Sequence, residues 1–313
     1  MKRSLLKSIL RRVLCPRALV LTIALVLLLP VGLLYAQSDD GPVPSLGESV
    51  RGDLRIVHTA WSKSEGGTPL ASPITFDPGE LVFVRARLAG FRLTEVEFQR
   101  YRVFLTYEVA AYDFRGIQIG EPRKDIINEA IHKEDSGWLP TIEHSLFVPP
   151  LAEFGDYEVR IKVRDEISQR RASFTFPFHV NGKRLPSLES VSVINFGFYR
   201  GEGDRSPMPE GAYRPGSTLW ARFDVAGFQV GDRNRFEVVC DVQIRNEQGE
   251  VLFQQPEALK ESAAPEYPRR YIPGVFSLEI KPGTPRGKYS IAVLARDVLS
   301  GKTVEEVIPF TVE

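Results

Sequence analysis

The chain has 313 residues with 40 basic and 40 acidic side chains, so its formal charge at pH 7 is zero. Residues 1–36 hold six of the basic side chains and none of the acidic ones, which leaves residues 37–313 with 34 basic against 40 acidic. Such a balance lacks the positive charge that binds phosphates and argues against a nucleic-acid partner. Only Cys240 follows residue 36, so an internal disulfide is excluded there.

The first predicted element is a secretory signal peptide at residues 1–36. Basic residues precede an apolar run over 18–34, and Leu34 and Ala36 suit the minus-three and minus-one positions of a cleavage site. The alternative is an uncleaved anchor in the inner membrane, since about 17 apolar residues lie at the low edge of bilayer-spanning length. We therefore expect an exported protein, periplasmic or extracellular, that contacts the membrane only through residues 18–34 if the leader is retained.

The remaining chain is one sequence pattern written twice. Residues 78–180 recur, in order and with matching spacing, at residues 215–312. A repeat of this length predicts duplicated domains. The predicted boundaries are a polar segment at 37–50, a first domain at 51–182, a linker at 183–187 and a second domain at 188–313. The linker is short and contains Pro186, so it should permit little hinge motion.

Apolar and polar residues alternate in each copy, the pattern of half-buried strands. The clearest case is residues 236–244, where five alternate side chains including Cys240 should point inward. Turn sequences at 113–116 and 246–249 follow these strands and predict a hairpin at the centre of each copy. With about seven such strands per copy and little helix, the predicted fold is all-β, two tandem seven-stranded antiparallel β-sandwiches.

A resemblance to a known class rests on Gly155-x-Tyr157-x-Val159 and its second copy, Gly287-x-Tyr289-x-Ile291. Each copy resembles a bacterial immunoglobulin-like or fibronectin-type module, in which a tyrosine-corner residue opens the sixth strand. Val159 and Ile291 stand where antibody domains carry a disulfide cysteine, so the disulfide subclass is excluded. The resemblance implies a fold and no active residues.

Features shared by both copies are expected to be structural. Arg164-Asp165 recurs as Arg296-Asp297, and each aspartate should cap the turn that follows its strand.

No Gly-x-Ser-x-Gly motif occurs, and Cys240 should be a buried, inert thiol, so catalysis is not expected. No metal or cofactor is expected either, because the four histidines show no ligand spacing; they are His58, His132, His144 and His179.

Features that differ between the copies are better candidates for recognition. Residues 121–140 and 254–271 connect each central hairpin to the next strand, and we expect both to be loops that carry binding residues. The candidate contact residues are Trp138, Tyr267, Arg269, Arg270 and Tyr271. For each aromatic residue the alternative is that it covers the core of its own domain. A second unique stretch, 199–213, contains a Gly-Glu-Gly-Asp sequence that could hold calcium but lacks a ligand ladder.

These observations predict a non-enzymatic protein of the bacterial cell envelope that acts as a protein–protein interaction or structural module, with another envelope protein as its partner. The alternative is a carbohydrate-binding module, which requires two or more coplanar, exposed aromatic rings on one sheet face. An enzyme would instead need a concave site with converging titratable groups.

Overall fold

The structure is a computed structural model that describes residues 46–135 and 137–313. The predicted signal peptide at 1–36, with its apolar run, lies outside the described residues. In the part that is described, no helix is both long enough and apolar enough for a membrane span. Regular structure there is almost entirely β-strand, apart from a short helix, α1 (Leu46–Ser49), and one turn of 3-10 helix (Asp232–Asn234). The all-β prediction is confirmed.

The described part of the first half contains nine strands in two sheets. They are β1 (Arg55–Ser62), β2 (Thr75–Phe76), β3 (Leu81–Ala89), β4 (Thr94–Glu97), β5 (Arg100–Tyr112), β6 (Gln118–His132), β7 (Thr141–Phe147), β8 (Gly155–Asp165) and β9 (Arg171–Val180). One sheet has the order β1-β3-β7. The other has the order β2-β9-β8-β5-β4, and β6 pairs with β5.

The second half repeats this arrangement with eight strands. They are β10 (Ser192–Tyr199), β11 (Ala212–Tyr213), β12 (Thr218–Ala226), β13 (Phe236–Asn246), β14 (Val251–Ala263), β15 (Tyr271–Glu279), β16 (Gly287–Asp297) and β17 (Thr303–Val312). One sheet has the order β10-β12-β15 and the other the order β11-β17-β16-β13-β14. The expected seven strands per copy therefore become nine and eight. The short strands β2, β4 and β11 are too brief for an alternation of apolar residues to mark them.

Each half has its own buried core between its two sheets. In the first half, Val84 and Leu88 of β3 share one hydrophobic cluster with Leu105 of β5 and Ile161 of β8. The second half forms a separate cluster in the same way. The alternation predicted for β13 is confirmed, because all five inward positions are buried. Burial also raises the pKa of the Cys240 thiol to about 12.

The sequence Ala89-Gly90-Phe91 recurs as Ala226-Gly227-Phe228 and marks a close approach of two backbone segments. Gly90 and Gly227 both adopt a positive φ, of 80° and 73°. A Cβ atom on Gly90 would lie 1.9 Å from the carbonyl oxygen of Asp53, and one on Gly227 would lie 2.3 Å from that of Ser190. Only glycine fits both the dihedral angle and the space. The segment that leads into the first strand of each half therefore crosses directly over this residue.

The repeated aspartates cap their turns as predicted. Asp165 is fully buried and accepts hydrogen bonds from the backbone N–H groups of Ile167 and Ser168 at 2.9 and 3.1 Å. It also accepts a 2.8 Å bond from the N–H of Arg92, which follows β3 in the opposite sheet. Asp297 makes the equivalent bonds in the second half. Each aspartate thus ties the two sheets of its half together, which the sequence pattern did not indicate.

The two stretches predicted as loops are largely strand. Strand β6 includes residues 121–132 and β14 includes residues 254–263, so the loop prediction is wrong for these parts. Within residues 46–135 and 137–313, both strands pair with one neighbour only, and they are exposed along most of their length. An edge strand that is exposed on both faces has no apolar alternation, and for that reason the periodicity did not reveal it.

Candidate interaction surfaces

The loop between β14 and β15 contacts the first half of the chain. Tyr267 of this loop packs against the hydrophobic cluster of the first half. Its hydroxyl donates a 2.9 Å hydrogen bond to Oδ2 of Asp113, which is 4% exposed and lies in the turn of the β5–β6 hairpin. Burial, and then the nearby Tyr157 and Asp113, raise the pKa of Tyr267, so the hydroxyl keeps the proton that it donates.

An ion pair lies beside this hydrogen bond. The guanidinium of Arg115 donates two hydrogen bonds to the carboxylate of Glu153, which is 4% exposed, and this contact raises the pKa of Arg115. The hydroxyl of Tyr157 donates to the carbonyl oxygen of Glu153 at 3.0 Å, and burial raises the pKa of Tyr157 to about 12. We call Asp113, Arg115, Glu153, Tyr157 and Tyr267 the junction cluster.

The linker is held by a second charged contact. Nζ of Lys183 lies 2.5 and 2.7 Å from the two carboxylate oxygens of Asp224, which is 2% exposed and belongs to β12. Asn195 donates a further hydrogen bond to Asp224 at 2.9 Å. The carbonyl oxygen of Lys183 accepts a 3.0 Å bond from the N–H of Phe154 in the first half. One residue of the predicted linker is therefore bonded to both halves of the chain.

The predicted contact residues lie in different environments. Tyr267 belongs to the junction cluster, and Tyr271 is 4% exposed with Nζ of Lys183 4.6 Å from its ring centroid. Arg269 pairs with Glu261. Arg270 is half-buried and makes no hydrogen bond or ion pair with any residue that the structure describes. For these residues, contact with an outside partner stays a prediction.

Trp138 covers the core of its own half, the alternative that the sequence left open. It is half-buried, packs against the first hydrophobic cluster and meets the ring of Phe91 edge-on at 6.3 Å. Sequence reasoning missed Asp113 and Glu153 as junction residues. Asp113 was recognised only as a turn former, and no local pattern indicates which turn faces the other half of the chain.

Strand β14 exposes an apolar segment at a sheet edge. Val251, Leu252 and Phe253 are consecutive and are 49%, 56% and 37% exposed. Pro256 and the positive φ of Glu257, 49°, interrupt the strand further along, where its register with β13 shifts. Proline and bulges at an edge discourage uncontrolled strand pairing. The part of β14 before Pro256 contains no proline, and its one register shift lies at Leu252, within the exposed segment.

A metal-binding site finds little support in the described residues. No group of three or more His, Cys, Asp or Glu side chains is arranged to hold a metal ion in residues 46–135 and 137–313. The carbonyl oxygens of Glu202 and Asp204, in the stretch considered for calcium, accept hydrogen bonds from the guanidinium of Arg222. These two carbonyl oxygens are therefore already bonded to a cationic side chain.

Two aromatic pairs are close to parallel. The rings of Phe196 and Phe223 are 8° apart, and those of Tyr289 and Phe310 are 23° apart. Phe223 and Phe310 are buried, at 4% and 5% exposure. Neither pair therefore presents two rings to solvent, as a carbohydrate platform requires.

Comparison with known proteins yields no family. No protein family model matches the chain, and no curated protein matches it. Among solved structures, the chain is similar to red sea bream transglutaminase, with 12% identity and a TM-score of 0.26 over 84% of this chain. The match spans 32% of the transglutaminase chain. At this level of similarity nothing about the activity of that enzyme is carried over.

Proposed function

We propose that the chain is a non-enzymatic protein of the bacterial cell envelope that binds a partner protein through the edge strand β14. The observation that carries the proposal is the exposure of Val251, Leu252 and Phe253 beside a free strand edge. A free edge offers unpaired backbone N–H and C=O groups, and an extended segment of a partner can add to it as a further strand. Exposed neighbouring apolar side chains are typical of interaction surfaces.

The proposed scaffold is a pair of immunoglobulin-like modules at residues 51–182 and 188–313, joined at 183–187. Two features support it. Tyr157 donates its hydroxyl hydrogen to the carbonyl oxygen four residues earlier at 3.0 Å, and Tyr289 does the same at 2.7 Å, as a tyrosine corner does. The short strand β2 pairs in parallel with β9, and β11 pairs in parallel with β17 at the equivalent place in the second half.

The cell-envelope part of the proposal rests on the sequence of residues 1–36. A basic segment followed by an apolar run directs export, to the periplasm or outside the cell, or leaves an anchor in the inner membrane. The partner would then be another envelope protein. A non-enzymatic role is supported by Cys240, whose raised pKa keeps the thiol protonated at neutral pH.

Affinity capture tests the proposal. The tagged full-length chain is expressed in its own host, cross-linked in the envelope fraction, and its partners are identified by mass spectrometry. We expect a stoichiometric partner that is lost when Val251 and Leu252 are both replaced by lysine. The matched control is Val307→Lys, because Val307 is also a half-exposed strand valine, at 48%, but does not lie on β14. A partner captured equally by the β14 variant, or no partner at all, would refute the proposal.

A further inference from the structure

The larger sheet of the first half carries a charged groove on its outer face. Two neighbouring cross-strand rows line it, each running from β6 through β5 and β8 to β9. The first row is Ile126, Thr106, Arg164 and Arg171, and the second is Lys124, Glu108, Lys162 and Ser173. The groove has a volume of about 700 Å³. Four cations and one carboxylate occupy these eight positions, although residues 37–313 as a whole are acidic.

Two of the cations face each other directly. Arg164 of β8 and Arg171 of β9 are register partners. Like charges in directly opposed positions destabilise an antiparallel pair. Arg164 is 3.3 Å from Glu166, but the side chain of Arg171 makes no hydrogen bond or ion pair with any residue in the described part of the chain. Arg171 is therefore an exposed guanidinium available to an anion.

The two lysines are only partly neutralised. Nζ of Lys162 and Nζ of Lys124 both contact the carboxylate of Glu108, at 3.1 and 3.5 Å. Their side chains are 61% and 74% exposed. One carboxylate shared by two ammonium groups leaves a net positive charge in this row. Asp125 also lines the groove, but its carboxylate pairs with Arg123 at 2.9 Å, so the groove keeps an excess of positive charge after these contacts are made.

The second half provides an internal comparison. Its equivalent rows are Lys260, Val239, Arg296 and Thr303, and then Asp241, Leu294 and Glu305. Two cations meet two carboxylates there, so the charge is balanced. Thr303 replaces Arg171 and Leu294 replaces Lys162 at positions with the same strand register. The equivalent sheet of the second half therefore forms without these two cations, and the fold does not require them.

We propose that this cationic groove binds an extended acidic segment of a partner protein. Strands lie about 4.8 Å apart, so four strands span roughly 14 Å, the length of about four extended residues. The planar guanidinium groups of Arg164 and Arg171 suit carboxylates, which they can bind with two parallel hydrogen bonds. At the β6 end, Ile126 is 57% exposed and offers an apolar contact. The site is separate from the exposed segment of β14 and goes beyond the function proposed for that segment.

Peptide binding tests this inference on the full chain purified from the envelope fraction of its host. The probe is a fluorescein-labelled hexapeptide, Glu-Glu-Ile-Glu-Glu-Ile, whose anisotropy is measured at low salt, with the Gln-for-Glu peptide as its neutral control. We expect the acidic peptide to bind and the neutral one not to bind. The double variant Arg171→Thr with Lys162→Leu should weaken binding about tenfold, since charge-assisted hydrogen bonds are lost.

The matched control is Arg296→Thr, which removes the equivalent arginine from the second half and should leave binding unchanged. Thermal unfolding of each variant verifies that it is folded. Absence of peptide binding would overturn the inference, and so would an equal loss in Arg296→Thr. It would also be overturned if phosphatidylglycerol vesicles bound through these residues while the peptide did not. The β14 lysine variant should bind the peptide normally, so failure here is distinguishable from failure of the proposed function.

Discussion

The hydroxyl of Tyr267 donates a 2.9 Å hydrogen bond to Oδ2 of Asp113, a residue 154 positions earlier in the chain. The other carboxylate oxygen of Asp113 accepts bonds from the N–H groups of Arg115 and Ile117, both at 2.8 Å, and so fixes the turn of the β5–β6 hairpin. One carboxylate therefore shapes a turn in the first half and binds the second half. The contact between the two halves therefore depends on the same carboxylate that fixes the hairpin turn.

Replacing Tyr267 by phenylalanine removes this hydrogen bond and leaves Oδ2 of Asp113 buried without its donor. We expect the free energy of unfolding to fall by about 1–3 kcal/mol, the cost of an unsatisfied buried acceptor. Urea denaturation measures it. Tyr101→Phe is the control, because Tyr101 packs on the same hydrophobic cluster but its hydroxyl makes no hydrogen bond with a described residue. Equal effects of the two changes would contradict the stabilising role of the Tyr267–Asp113 hydrogen bond.

Replacing Lys183 by methionine removes the cation that pairs with Asp224. Asp224 is buried, and among the described residues its carboxylate would keep only the hydrogen bond from Asn195. Loss of one partner of a buried ion pair is strongly destabilising, but the Lys183 side chain is 44% exposed, so we expect a loss of about 1–3 kcal/mol. A second change, Asp224→Asn, should restore part of this stability. A chain with Lys183→Met that unfolds at the same urea concentration as the original would show that the pair is unimportant.

Gly90 and Gly116 separate two effects of glycine. Both have a positive φ, 80° and 78°, but only Gly90 is approached by backbone atoms. Gly116→Ala should lower stability by about 1–2 kcal/mol through dihedral strain alone. Gly90→Ala adds a clash with the carbonyl of Asp53 and should be far more destabilising, to the point of preventing folding. Soluble yield and thermal unfolding distinguish the two variants. Similar values for both would rule out the close approach of the Asp53 backbone to Gly90.

Alkaline pH should destabilise the chain through Cys240. Burial raises the pKa of its thiol from 9.0 to about 12, so between these values the folded chain binds a proton that the unfolded chain has lost. The stabilising contribution is complete below pH 9 and is lost as pH rises towards 12. Cys240→Val should reduce this decline, measured by denaturation from pH 8 to 10.5. A native chain whose Cys240 reacts rapidly with iodoacetamide at pH 8 would contradict the burial.

The sequence predicted what depends on local pattern. The alternation in β13 was readable because one of its faces is buried, and the Asp165 turn was readable because its bonds are local. The strand character of β6 and β14 was not readable, since their side chains are exposed on both faces. The roles of Tyr267, Lys183 and Asp224 depend on how the two halves meet, and a single sequence without periodicity at those positions gives no such information.

The junction cluster and the Lys183–Asp224 pair should join the two halves into one cooperative unit, and calorimetric unfolding of the whole chain tests this. We predict a single transition for the unaltered chain, with equal calorimetric and van't Hoff enthalpies. The combined variant Tyr267→Phe with Lys183→Met should unfold in two separate transitions. Two transitions in the unaltered chain, or one in both proteins, would contradict this account of the junction.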